Sequence, residues 1–419
     1  MIPVTFDGFM ASIQAAESIS DGFTVLHGPG ACRAMNSTMA EHLIHRDYKV
    51  REGPFYYGNC RVPCTYLDTN DYINGSEYKL TELLATVGDV KLVTVIQTPG
   101  TSLIGDDLTG ALSRSDYKGP KVVQRVCQMS MPASTGYDVT MSEIIHATCA
   151  RREKVKGTVN VIGLPILMRG WEDTKRELTS YLEDMGLRVT AWIGAGCSYD
   201  ELLGSASAEF SITVLPEYCR HTAEELESLG VPTLTAPVPF GFRGTEEWVR
   251  AVAERLGISP EKALERIAVR RDRCTRIMMS FTHGASLTRG KTYSVSLDSE
   301  LVLPLARWMH AYLSMFPRCI RRCSWWSDDF NARLDEFLGS IHCGDVLSDE
   351  LTEERSDILF SDGLTAGIYE KKNQCKAGIE MQLPYMRRFD FVEKPILAIG
   401  GTEWMLDSIF NGLFSPKSK

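Results

Sequence analysis

The sequence has no apolar run long enough to cross a bilayer as a helix, and it is short of positive charge. Its 45 Lys and Arg are outnumbered by 54 Asp and Glu, for a net charge of −9. That balance excludes nucleic acid as the main partner, because phosphate binding needs a basic face. There is no GxxxxGK[ST] phosphate loop, so the chain is expected to hold no nucleotide of its own. A full GxGxxG fingerprint and a GxSxG nucleophile elbow are also absent, as is the double CxxC of a structural zinc site. Met1 to Asp7 has neither the basic nor the apolar region of a signal peptide, so a cytoplasmic location without a membrane partner is expected. The eight histidines form no metal-binding cluster; His42 and His45, one helical turn apart, lack an acidic ligand and read as surface or interface.

What the sequence does have is cysteine, twelve in all. In a reducing compartment these are not a disulfide framework, so they divide between ligands and core residues. At 44% hydrophobic and 24% charged, the composition is that of a globular protein, and 419 residues are too many for one ordinary core.

The pattern is repeated strand–loop–helix. Phe23 to Leu26, Val90 to Gln97 and Val122 to Val126 read as strands, and Thr140 to Arg152 as a helix. After a basic stretch, Arg151 to Gly157, a second series opens at Val159 to Leu164 and runs through Leu187 to Ile193 and Phe210 to Leu215 to the charged helix Pro260 to Ser280. A third starts near Lys291, with strand signals at Tyr293 to Leu297, Arg318 to Trp326, Asp357 to Ser361 and Ile396 to Gly400. Such alternation implies parallel sheets. The expected fold is α/β, three Rossmann-like parallel-sheet domains with boundaries at 1–156, 157–288 and 289–419.

Ligands of such domains sit beyond the carboxyl ends of the strands. One such end is Leu26-His27-Gly28-Pro29-Gly30-Ala31-Cys32, where a glycine- and proline-rich loop places a cysteine at a predicted helix N-terminus. The helix end favours thiolate there, the form that binds metal; the plainer reading is a small buried residue at a turn. Cys60 and Cys64 form a C-x3-C pair in a polar loop, and soft thiolates of this kind suit iron–sulfur clusters. Cys319 and Cys323 have no further ligand nearby and read as core.

Three segments in order carry a resemblance. They are His27-Gly28-Pro29-x-x-Cys32, the stretch Leu67-Asp68-Thr69-Asn70-Asp71-Tyr72-Ile73-Asn74-Gly75-Ser76-Glu77-Tyr78-Lys79-Leu80, and Leu103-Ile104-Gly105-Asp106-Asp107-Leu108. This series resembles the nitrogenase component 1 superfamily, which includes nitrogenase chains, cofactor scaffolds and dark-operative protochlorophyllide reductase. The resemblance implies an iron–sulfur cluster of the [4Fe-4S] type near a subunit interface. It also implies a homologous component 1 chain as partner in a dimer or tetramer, and an ATP-dependent iron–sulfur reductase that delivers electrons. On that reading Cys32 is a cluster ligand, and Asp7 stands where the protochlorophyllide reductase group resembles this chain in using an Asp ligand; Asp7-Gly8 also reads as a plain turn. His27 and Gly28 are expected among the cofactor-binding residues with them, and His27, Asp106 and Asp107 are candidates to tune the site or donate protons, with helix capping the alternative for the two acids. The cysteine that relatives carry before IGDD is missing from Gln97 to Ser102, and Cys60 and Cys64 are proposed in its stead. Dinitrogen is disfavoured as the substrate: Cys219 falls late for a cofactor ligand, and Pro384 to Phe391 has no histidine. The expected function is an oxidoreductase subunit relaying electrons to a buried substrate. The alternative is a non-catalytic scaffold or structural partner chain for metallocofactor assembly. No catalytic residue follows from the sequence.

Overall fold

The computed structural model describes residues 6–40, 62–88, 90–124, 126–280, 287–385, 391–392 and 394–414. They form two compact units, one from 6–167 with 189–233, the other from 168–188 with residues from 234 onward.

The first unit opens with α1 (Gly8–Glu17), β1 (Gly22–His27) and α2 (Gly30–Ala40). Then come α3 (Thr69–Asn74), α4 (Glu77–Ala85), β2 (Leu92–Gln97), α5 (Pro99–Ile104), α6 (Leu108–Arg114), β3 (Lys121–Val123) and α7 (Ala133–Thr148). The sheet order is β1-β2-β3, with parallel pairing throughout, and His27 is level with Gln97. All six residues of β2 are buried, as expected of a parallel strand covered on both faces. Val25, Val93 and Val95 pack with Leu80 and Leu84 of α4 and Leu108, Ala111 and Leu112 of α6. Each such side chain contributes about 1.5–3 kcal/mol through burial.

The stretch Asp7-Gly8 is a helix start. The Asp7 side chain accepts from the Met10 N–H at 3.0 Å and caps α1. Every residue of α1 is buried. It lies close to α7 where glycine faces glycine: Ser12 Oγ donates to the carbonyls of Gly8 at 2.8 Å and Gly136 at 3.1 Å. Gly136 has no room for a side chain, since a Cβ there would stand 2.1 Å from the Gly8 carbonyl oxygen.

A second sheet contains β4 (Val155–Ile162), β5 (Arg188–Ile193), β6 (Ala208–Thr213) and β7 (Thr233–Leu234) in the order β5-β4-β6-β7. The third, in the other unit, contains β8 (Thr292–Val295), β9 (Phe316–Arg321), β10 (Leu347–Ser348), β11 (Ile358–Asp362) and β12 (Ala377–Gln382) in the order β10-β9-β8-β11-β12. The pairings within it are parallel. The chain therefore has the α/β class of the sequence reading, with three parallel sheets. One expected strand is corrected: Ile396 to Gly400 leads into and begins the helix Ala398–Phe414. That helix start is held by Glu177, which accepts from the N–H groups of Ile399 at 3.2 Å and Gly400 at 2.8 Å. Arg270 joins Glu177 at 2.6 Å to Glu403 at 2.5 Å. No described helix is long and apolar enough to cross a membrane.

Gly136→Ala should lower stability by about 1–3 kcal/mol, the usual cost of overpacking. Urea unfolding followed by circular dichroism checks this; an unchanged midpoint contradicts the close α1–α7 contact.

Candidate functional site

The carboxyl ends of β1, β2 and β3 lie side by side because the strands are parallel. The segment around Cys64 adds a further stretch beside β1. Leu26 bridges Cys64, the Leu26 N–H donates to the Pro63 carbonyl at 2.9 Å, and the Thr65 N–H donates to the Leu26 carbonyl at 3.1 Å. Beyond β1 the chain turns at Gly28, whose N–H donates to Thr65 Oγ1 at 3.0 Å. A Cβ on Gly28 would fall 2.0 Å from Thr98 Cγ2, so only glycine lets the loop after β2 close against this turn. Thr98 N–H and Thr101 Oγ1 then donate to the His27 carbonyl at 3.0 and 3.1 Å.

His27 is fully buried. Its Nδ1 is 3.2 Å from Thr65 Oγ1; its Nε2 is 3.0 Å from Ser76 Oγ and 3.3 Å from Asp106 Oδ2. Ser76 Oγ in turn donates to Asp106. One arrangement of hydrogens satisfies the whole chain of contacts. Gly28 N–H donates to Thr65, Thr65 O–H to Nδ1, Nε2–H to Ser76, and Ser76 O–H to the carboxylate. Burial holds the His27 pKa below its usual value, outweighing the Asp106 carboxylate that pulls it up, so the imidazole is neutral at pH 7. The two acids of the Ile104-Gly105-Asp106-Asp107 stretch therefore part company. Asp106 bonds the histidine network, whereas Asp107 caps α6 by accepting from Gly110 N–H at 2.8 Å.

The second stretch of the resemblance has an equally local reason. Asp71 receives Lys79 Nζ at 2.6 Å, Tyr78 O–H at 2.8 Å and the Asp68 N–H at 2.7 Å. Lys79 above all draws its carboxyl down to about 2. Gly75 between them has φ of +90°, which admits the turn that brings Ser76 to His27.

Cys32 lies in the first turn of α2, half-buried. Its thiol is not the activated thiolate that a helix end alone would give. Burial, and then the Asp7 carboxylate, push it up. Asp7 is half-buried and its own carboxyl is raised by burial. Cys64 is buried, and its thiol donates to the Gly28 carbonyl at 2.9 Å, bracing the turn from below. Cys60 lies outside the described residues, as do His42 and His45. Cys319 and Cys323 are buried in the other unit, where Cys319 donates to the Glu350 carbonyl at 3.6 Å and burial lifts Cys323 to about 11. Cys219 is buried beneath the Leu215 carbonyl, to which it donates at 3.4 Å.

The sequence reading passed over Cys127. This half-buried thiol follows β3; burial above all pushes it up, against a hydrogen bond from the Met129 backbone that lowers it. No spacing motif marks it; only the strand order brings its loop to the edge at which the loop after β1 leaves. Among the described residues, no three His, Cys, Asp or Glu side chains are grouped to hold a single metal ion. Thiols such as Cys32 and Cys127 are of the donor type that suits iron–sulfur clusters.

His27→Ala should cost about 1–3 kcal/mol by stranding Thr65, Ser76 and Asp106, read as a drop in the urea midpoint. Because the Asp71 carboxyl titrates near 2 when folded, below its ordinary 3.8, its contribution is complete above about pH 4 and is lost as pH falls towards 2. Asp71→Asn should flatten that acid limb of a stability–pH profile; an identical profile contradicts the pairing.

A family model described as nitrogenase component 1 type oxidoreductase matches residues 8–413. The light-independent protochlorophyllide reductase subunit N of Rhodopseudomonas palustris (strain TIE-1) is 26% identical over 324 residues, covering 74% of this chain and 69% of that protein. The nitrogenase vanadium-iron protein beta chain of Trichormus variabilis is 21% identical over 380 residues, covering 80% of this chain and 78% of that one. A solved structure of nitrogenase Cp1 at pH 6.5 superposes with a TM-score of 0.81 at 16% identity, over 99% of this chain and 93% of that one. With the family model spanning nearly the whole chain, the protein belongs to the nitrogenase component 1 type oxidoreductases.

Proposed function

We propose that this chain is one subunit of a nitrogenase-like oxidoreductase, that it shares an iron–sulfur cluster of the [4Fe-4S] type with a homologous chain, and that dinitrogen is not its substrate. The observation that carries the reading is the match of the nitrogenase component 1 type model to residues 8–413, together with a Cys32 half-buried in the first turn of α2, where the chain leaves β1, and an Asp7 that caps α1. A cluster bound here would accept and pass on single electrons, supplied by an ATP-dependent reductase partner.

The chain's own residues bind and orient. Cys32 and Asp7 would be ligands, with Asp7 using the carboxylate oxygen that does not cap α1. Cys64 and Cys60 remain proposed as further thiols; Cys64 meanwhile fixes the Gly28 carbonyl. His27 positions the loop and is neutral. Met35, Leu103, Val126, Met129 and Met131, in the segments that follow β1, β2 and β3, are large apolar side chains left exposed, with Leu103 at 88%. Against a large cofactor of the dinitrogenase kind, the Cys219 thiol is buried and already bonded to Leu215. The stretch 386–390 lies outside the described residues.

A scaffold for metallocofactor assembly would hold iron in the same place, so electron transfer decides between the two. Purified without oxygen, alone and with its homologous partner chain, the protein should contain iron and sulfide and give a reduced-state EPR signal. Cys32→Ala should remove that signal and Cys319→Ala should keep it. Iron-free protein in every preparation would sink both readings. Reduction of the cluster by the ATP-dependent partner, followed by turnover, favours the enzyme; a cluster that is handed on to another protein favours the scaffold.

A further inference from the structure

We propose that Cys127 takes the place of the cysteine missing from the loop after β2, so that Asp7, Cys32 and Cys127 are this chain's share of the cluster's ligands. The inference rests on the iron–sulfur reading above and adds a ligand that the sequence motifs do not contain.

The strand order supplies the first argument. β3 is the neighbour of β2, Val123 is level with Val95, and the chain leaves β3 in the direction in which it leaves β2. The loop after β2 and the loop bearing Cys127 therefore lie along one sheet edge. They are also joined directly: Gln97 Nε2, the last side chain of β2, donates to the Gln124 carbonyl at 3.0 Å, three residues before Cys127. In the loop after β2, the positions that could have carried a thiol are engaged otherwise, since Thr98 packs on Gly28 and Thr101 bonds the His27 carbonyl.

The second argument is how the 126–132 loop is anchored. Gly8 N–H donates to the Met131 carbonyl at 2.8 Å, and Asp7 bridges Pro132. A Cβ on Gly8 would come within 2.5 Å of the Gln128 carbonyl oxygen, so the residue after Cys127 is pressed on the residue after Asp7. Gln124 Nε2 adds bonds to Ser12 of α1 at 2.7 Å and Thr140 of α7 at 3.1 Å. The loop is thus held to the start of α1, where the Asp7 carboxylate is. The third argument is the first strand of the sheet: the chain leaves β1 at the same edge, and Cys32 lies in the first turn of the helix that follows, so the loops bearing Cys32 and Cys127 stand at one end of the sheet. Binding to iron would release the two thiol protons. Cys64 is the rival thiol, but it lies on the far side of β1 and is turned to the Gly28 carbonyl.

The test uses a crossed pair of variants. Cys127→Ala and Cys127→Asp are purified without oxygen beside wild type and Cys343→Ala, a half-buried cysteine of the other unit. Iron per chain and the EPR spectrum of the reduced protein are read, with circular dichroism as the check on folding. A ligand role predicts that Cys127→Ala loses more than half of its iron while folded. Cys127→Asp, which replaces thiolate by carboxylate, keeps iron with a shifted spectrum. A merely structural role predicts the reverse, because a half-buried small site accepts alanine more easily than a charge. Wild-type iron and an unchanged spectrum in Cys127→Ala overturn the proposal and leave the functional reading standing. Absence of iron from the wild-type chain and from its complex overturns both.

Discussion

The common direction of β1, β2 and β3 is the constraint on which the site depends. Three parallel strands release their chains at the same edge, and each loop must then find room beside the other two. Room is found because Gly28 lacks a side chain against Thr98, and because His27 and Thr98 are level enough for the loop after β2 to bond the His27 carbonyl. Everything nearby is fastened to that junction: the Cys64 segment through Leu26 and Gly28, the α3–α4 turn through Ser76, and the start of α6 through Asp106. The sheet is small, yet it sets where Cys32 can be.

Much of this was legible in the residues. The β-branched runs of β1 and β2 match the buried strands, and the glycine and histidine of the first loop have the close approach and the burial that make other residue types unsuitable. The spacing from Asp71 to Lys79 is explained by an ion pair across a glycine turn. What failed did so for physical reasons. α1 is buried all round, so it has no helical period to read, and Asp7-Gly8 passes equally well for a turn. The apolar run Ile396 to Gly400 could not be told from a strand, because a wholly buried helix start and a buried strand share that composition. Asp106 and Asp107 are adjacent and chemically identical; only the fold sends one to a histidine and the other to a helix end. Cys127 is silent in the sequence because its significance comes from the order of strands, not from its neighbours along the chain.

Burial changes the chemistry that a motif alone suggests. The helix end beside Cys32 favours a thiolate, but desolvation acts the other way and raises the thiol. Asp7 and Cys127 are raised as well, and for each of them burial is the largest cause. Asp71 shows the opposite regime a short distance along the chain, where a lysine is built in and the carboxylate is ionised throughout the ordinary pH range.

The chain of hydrogen bonds through His27 has a further consequence. From Gly28 N–H through Thr65, the imidazole and Ser76 to Asp106, every link points the same way. It starts at a backbone amide, which cannot become an acceptor, and ends at a carboxylate, which has no hydrogen to give back. Both ends are thus fixed, and the freedom that remains is in the middle: Thr65 Oγ1 also lies 3.4 Å from the Gly28 carbonyl, so its hydrogen can turn there when the imidazole carries its own on Nδ1 and Ser76 donates to Nε2. The floor beneath the loop after β1 is polarised at its two ends, and its two patterns differ only in the tautomer of His27 and the turn of two hydroxyls.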